Sequence, residues 1–190
     1  AYGQLCIVVP GADAVMSCTA QVLDMQTEIN LFWEHLLPAL SGHAPVDHAA
    51  EERLADRLRR LSTAVIAARA NSPRYGVTFT RTGKPAPFTG GLSAVRVEPA
   101  DDGTRLTVVI EGVEYPFHLR PGHWTEGELP GLHSPLPTVA VTGGWVAADE
   151  FRADIVSLTS PHRLQLRAKT GQRPTVEADW YTPPLGTAGG

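Results

Sequence analysis

The sequence predicts an α+β chain: an N-terminal β-hairpin and two helices, followed by an antiparallel β-meander that forms a curved sheet or a partly closed barrel. Three observations carry that expectation. Residues 4–9 (Gln-Leu-Cys-Ile-Val-Val) are continuously apolar and rich in β-branched side chains, and residues 14–20 answer them across a turn. Two stretches between Asp24 and Arg69 repeat apolar residues at helical spacing. From Tyr75 to Tyr181 the texture changes to short alternating strands punctuated by Gly, Pro and Asp.

In chain order, Pro10-Gly11-Ala12-Asp13 supplies the turn chemistry of the hairpin, which alone is marginal in water and needs a larger sheet. Asp24 is a good N-cap for a helix starting at Met25. Met25, Ile29, Phe32, Trp33, Leu36, Leu37 and Leu40 form its wide apolar stripe, and Pro38 with Ser41-Gly42 is expected to end it. A second helix is expected from about Asp47 to Arg69. Ala50, Leu54, Leu58, Leu61 and Val65 make its narrower stripe, and its Arg/Glu faces read as solvated surface. Strands are expected at 76–81, 92–98, 104–111, 113–119, 138–146, 150–158, 163–170 and 174–181. Asp101-Asp102-Gly103, Glu111-Gly112-Val113 and Lys169-Thr170-Gly171 read as hairpin turns.

Composition narrows the function classes. The chain has 190 residues, 43% hydrophobic and 19% charged, so it can bury a core as one large domain or two small ones. A net charge of −4 argues against nucleic acid or an anionic membrane as partner. No apolar run of about 18 residues is present to span a bilayer. Two cysteines, Cys6 and Cys18, are too few for a disulfide scaffold, and both read as inert thiols in buried strands.

No catalytic motif is complete within the chain. The seven histidines show no ligand spacing of the H-E-x-x-H kind, so no metal and no cofactor is expected. Gly91-Leu92-Ser93-Ala94-Val95 lacks the closing glycine of a nucleophile elbow. Arg81 and Leu166 stand where a Ser-x-x-Lys pair would need serine before Lys84 and Lys169, and Tyr-x-Asn is absent. Lys169-Thr170-Gly171 matches a triplet of penicillin-recognising enzymes, but it lies at a late turn and reads as a coincidence.

Residues 1–40 carry a resemblance. Ala-Tyr-Gly-Gln-Leu-Cys-Ile-Val-Val-Pro-Gly-Ala-Asp-Ala-Val, Met-Ser-Cys-Thr-Ala, Asp-Met-Gln and the helix ending Phe-Trp-Glu-His-Leu-Leu-Pro-Ala-Leu resemble the last strands and terminal helix of β-lactamase-related serine hydrolases. That family comprises class C β-lactamases, penicillin-binding DD-peptidases and related esterases. Thr142-Gly143-Gly144-Trp145, Phe151 and Ser160-Pro161-His162-Arg163 resemble an extra C-terminal domain found in a bacterial subgroup.

The resemblance implies an acyl-enzyme mechanism on ester or amide substrates, β-lactams or D-amino-acid peptides among them. It implies four segments: 1–42 as the last strands and terminal helix of the catalytic domain, 43–74 as a helical linker, 75–182 as an accessory β domain, and 183–190 as a flexible tail. It puts the backbone of Ala1 at the oxyanion position, provided Ala1 is joined to a preceding segment, and Tyr2 beside the acyl site. The expected partner is then the missing N-terminal catalytic portion, on the same or a companion chain, and without it this chain is expected to be inactive. The opening on Ala1, with no initiator methionine, reads as a cut end. A cytoplasmic location is the expectation, any export signal lying in the missing portion. The alternative is a non-catalytic β-barrel binding module, with Phe117, Trp124, Trp145, Phe151 and Trp180 lining a ligand cavity.

Overall fold

In the computed structural model, residues 2–40, 47–69, 73–84, 89, 91–130 and 138–184 are described. Two compact units divide the chain, residues 1–64 and 65–190. Both parts of the α+β expectation are present. Ala1, the turn residues Ser41-Gly42, His43, His133 and residues 185–190 of the expected tail lie outside the described residues.

The first unit opens with strands β1 (Leu5–Val9) and β2 (Ala14–Cys18), joined by a 3-10 turn at Pro10–Ala12 and Asp13 in the left-handed conformation. The strands are antiparallel, with Cys6 opposite Ser17 and Val8 opposite Val15, in a sheet of two strands only. Burial alternates rather than being continuous. Leu5, Ile7, Val9, Ala14, Met16 and Cys18 are half-buried, whereas Cys6, Val8, Val15 and Ser17 face outward and are exposed. The expectation of strands buried on both faces therefore fails within this chain. One face has no covering layer among the described residues.

Helix α1 (Met25–Leu31) starts as expected: the Asp24 carboxylate accepts from the N–H groups of Gln26 and Thr27. Pro38 does not end the helix. Lacking an N–H, proline leaves the carbonyl four residues earlier without its usual donor. Here the chain passes through a π-helical stretch, Phe32–Leu36, in which the N–H of Leu37 donates to the carbonyl of Phe32, and continues as α2 (Leu37–Leu40). Helix α3 (His48–Arg59) is capped by Asp47 and ends well short of Arg69. Beyond Arg60 the run Thr63-Ala64-Val65-Ile66 is rich in β-branched residues, which favour extended chain. The segment then joins the second unit, where the N–H of Arg69 donates to the carbonyl of Trp145 at 2.8 Å.

The second unit is one nine-stranded sheet, nearly closed into a barrel, in the order β6-β5-β4-β3-β11-β10-β9-β8-β7. Its strands are β3 (Val77–Arg81), β4 (Leu92–Ala100), β5 (Gly103–Ile110), β6 (Val113–Leu119), β7 (Thr125–Glu128), β8 (Thr138–Trp145), β9 (Glu150–Ser157), β10 (Arg163–Lys169) and β11 (Thr175–Thr182). All eight expected strands are present. The ninth, β7, is four residues long and too polar for the alternation to reveal. Each strand runs up and down beside its sequence neighbour. An odd number of strands obliges one pair to be parallel, and that pair is β3 with β11, in register at Thr80–Thr175 and Arg81–Val176.

On the other side β7 leans on β6 without a ladder. Thr125 donates its hydroxyl to the carbonyl of His118 at 2.7 Å. Gly127 sits flat on the Phe117 ring, where a Cβ would come within 2.7 Å. The interior is filled by alternate residues, among them Phe79, Val95, Leu106, Ile110, Phe151, Leu164 and Leu166. Trp145 stacks edge-on with Phe151 at 5.6 Å between ring centres. Phe117, Trp145 and Phe151 are core, and Trp180 packs against them partly buried. The void bounded by Leu129, Val139, Ile155, Ser157, His162, Leu164 and Trp180 is about 10 Å³. That is scarcely one water molecule, so Phe117, Trp145 and Phe151 pack the barrel interior around it, while Trp145 also borders an open cleft of about 640 Å³ with Arg69, Asp102 and Gly144.

Candidate functional site

Of the two residues that the resemblance singles out, Tyr2 is described and Ala1 is not. Tyr2 and Gly3 enter β1 through two successive left-handed conformations, φ 58° and 88°. Such a pair is costly for tyrosine and natural for glycine. The carbonyl of Tyr2 accepts from the N–H of Val22 at 3.1 Å, which ties the entry of the hairpin to the approach to α1. Gln4 adds a second tie, its amide donating to the carbonyl of Ala20 at 3.1 Å.

Beneath this turn lies a pair that sequence spacing did not reveal. The thiol of Cys18, at the end of β2, donates to Oε1 of Glu28 in the first turn of α1, at 2.6 Å. The other oxygen, Oε2, is shielded from solvent with no hydrogen-bond partner. A Cβ on Gly3 would come within 2.7 Å of that oxygen, 2.8 Å of Ala20 Cβ and 2.9 Å of Val22 Cγ2. The hydrogen bond to Glu28 pushes the Cys18 thiol up from its ordinary value, and burial and the carboxylate charge add to it. Cys18 is therefore held as a thiol. Glu28 stands four residues after the cap Asp24, where a carboxylate complements the helix dipole. Its approach to Cys18 depends on how the helix crosses the hairpin.

Correction is needed for Cys6, which is exposed rather than buried. It points to the opposite face from Cys18, and both cysteines are free. On the inner face, Phe32 is the one fully buried hydrophobic residue among the described residues of the first unit. It lines an apolar groove of about 270 Å³ with Val9, Ala14, Met16, Leu36 and Leu40. Leu31, Trp33, Leu36 and Leu40 remain about half exposed along the helix, and Leu54 and Leu58 of α3, with Leu61 beyond its end, are exposed more fully.

The second unit contributes ionic pairs rather than a catalytic constellation. His118 and Asp102 meet at 2.5 Å on the surface, and that hydrogen bond holds the Asp102 carboxyl below its usual range. Glu150 is held low in the same way, by Arg152 first and Arg167 second. Asp154 is buried and binds Arg163 and Gln165 on the neighbouring strand. His162 packs edge-on to Trp180, and burial lowers its pKa. Lys169-Thr170-Gly171 closes the β10–β11 hairpin, with the N–H of Thr170 bound to the carbonyl of Asp149 at 2.9 Å. Among the described residues no three His, Cys, Asp or Glu side chains converge as metal ligands, and no helix is long and apolar enough to cross a membrane.

No protein-family model, no curated protein and no solved structure matches the chain.

Proposed function

We propose that the chain is the C-terminal portion of a β-lactamase-related serine hydrolase, acting with a catalytic portion that carries Ser-x-x-Lys and Tyr-x-Asn. In this reading the hairpin and the first helix complete the catalytic α/β domain, and the barrel is its accessory domain. Substrates are esters or amides opened through an acyl-enzyme. The serine attacks the carbonyl, the leaving group departs with a proton, and water releases the acyl group.

One observation carries the reading. The hairpin is a sheet of two strands whose inner side shares a groove with the helix, while its outer side presents Val8 and Val15 opposite one another, 62% and 68% exposed. Its outer backbone edges have no strand beside them among the described residues. A free edge of N–H and C=O groups recruits further strands, and an uncovered apolar face favours a second layer. A larger sheet supplies both. Against the binding-module alternative stands the packing of Phe117, Trp145 and Phe151 in the barrel interior among the described residues.

The test joins this chain to the coding sequence immediately upstream of it and assays hydrolysis of a chromogenic ester and a chromogenic cephalosporin. Expected is turnover that depends on both parts, with an acyl adduct of the substrate's mass on the serine of Ser-x-x-Lys. An upstream portion that is equally active without residues 1–42, or that lacks such a serine, overturns the reading.

A further inference from the structure

We propose that Glu28 is a positioning residue for the acyl site, holding the Tyr2–Gly3 turn from beneath; the inference rests on the serine hydrolase reading. Three elements meet at this corner. The turn enters β1 in two left-handed steps, β2 leaves at Cys18, and α1 presents Glu28 from its first turn. Oε1 of Glu28 is engaged by the Cys18 thiol, which fixes the carboxylate against the end of β2. Oε2 lies under Gly3, where a Cβ would come within 2.7 Å of it, and the left-handed φ of 88° with Ala20 and Val22 close by suits the position to glycine. The turn rests on the carboxylate on one side and is tied by Tyr2 to Val22 on the other.

A buried carboxylate oxygen without a donor is costly, and Glu28 keeps one. Alanine in its place would relieve that cost and leave a hollow below Gly3. Left-handed conformations at a non-glycine residue persist only where the surroundings over-determine them. Loss of the support therefore lets Tyr2 relax toward ordinary backbone and carries its side chain and carbonyl away from the site. A small displacement of a positioning group lowers the chemical step and leaves ground-state binding nearly unchanged. Glutamine in its place keeps the length and the acceptor for the thiol.

The experiment has two arms. In the joined enzyme, Glu28→Ala is expected to lower kcat by about tenfold or more with KM changed by less than about twofold, and Glu28→Gln to recover most of that loss. In the 190-residue chain, Glu28→Ala is expected to speed hydrogen exchange at the amide of Val22, while the amide of Val108 in the barrel keeps its wild-type rate as a control for folding. Unchanged kcat in an active Glu28→Ala enzyme, or unchanged exchange at Val22, overturns the role of Glu28 and leaves the hydrolase reading standing. A joined wild-type enzyme with no hydrolytic activity overturns that reading, and the acyl-site role with it.

Discussion

The methyl group of Ala68 lies directly over the Cα of Gly144, so that a Cβ on the glycine would overlap it. Ala68 and Arg69 thus lie against the end of β8, anchored by the hydrogen bond from Arg69 to Trp145. This contact covers Gly144 at the end of a strand that is buried on both faces.

Gly144→Ala is expected to lower the stability of the barrel by about 1–3 kcal/mol, since either the strap or the strand must shift. Urea unfolding followed by tryptophan fluorescence measures it. Adding Ala68→Gly is expected to return a large part of the loss. No recovery in the double variant would show that the two residues do not share the strain.

Asp154 and Arg163 form a pair whose acid is buried and whose base is half-buried. Removing the acid alone, in Asp154→Ala, leaves Arg163 and Gln165 without their carboxylate partner and is expected to cost about 3 kcal/mol. A double-mutant cycle with Arg163→Met checks the coupling, which is expected to exceed about 1 kcal/mol. Additive losses would mean that the two side chains act separately.

His162 has its pKa lowered by burial, against a smaller opposing effect of a hydrogen bond with Thr182. The unfolded chain therefore binds more protons than the folded one between the folded value and the ordinary value near 6.5. Stability from this group is complete above that ordinary value and declines as pH falls through the folded one. Asp102 and Glu150 are also held low, and they act below the ordinary carboxylate values. Unfolding free energies measured from pH 7.5 to 5 are expected to fall, and the slope is expected to flatten in His162→Gln. An equal slope in that variant would assign the decline to other groups.

The two thiols differ in surroundings, so iodoacetamide at pH 8 is expected to label the exposed Cys6 first. Cys18, whose thiol keeps its proton while donating a hydrogen bond to Glu28, is expected to react several-fold more slowly. Glu28→Gln removes the charge and is expected to bring Cys18 closer to Cys6 in rate. Peptide mass spectrometry after timed quenching reads both sites.

Most of the barrel was legible because its signal is local. Alternation in 104–110 and 163–169 and the turns Asp101-Asp102-Gly103 and Glu111-Gly112 fix strands and hairpins without reference to anything distant. What escaped depends on tertiary company. Helical spacing carried the second helix to Arg69, because nothing local hinted that Arg69 would bond to Trp145. Pro38 read as a stop because its effect on a π-helical stretch depends on how the preceding turns pack. The continuous apolar run of β1 implied two buried faces, and the chain itself covers one. At the candidate site Tyr2 came from resemblance, whereas Cys18 and Glu28 stand ten residues apart with no spacing rule to join them.

The single parallel junction, β3 beside β11, sets how the barrel responds to force. Because these first and last strands point the same way, the chain enters at one rim and leaves at the other. Traction on the two ends slides β3 along β11 instead of unzipping them, loading the bonds from Thr80 to Pro174 and from Thr82 to Val176 together. The junction is only two register pairs long, and the opposite join, β6 against β7, has no ladder. Between these weak seams lie two intact meanders, β3–β6 and β7–β11, so tension would part the barrel into two curved halves before it unravelled either one.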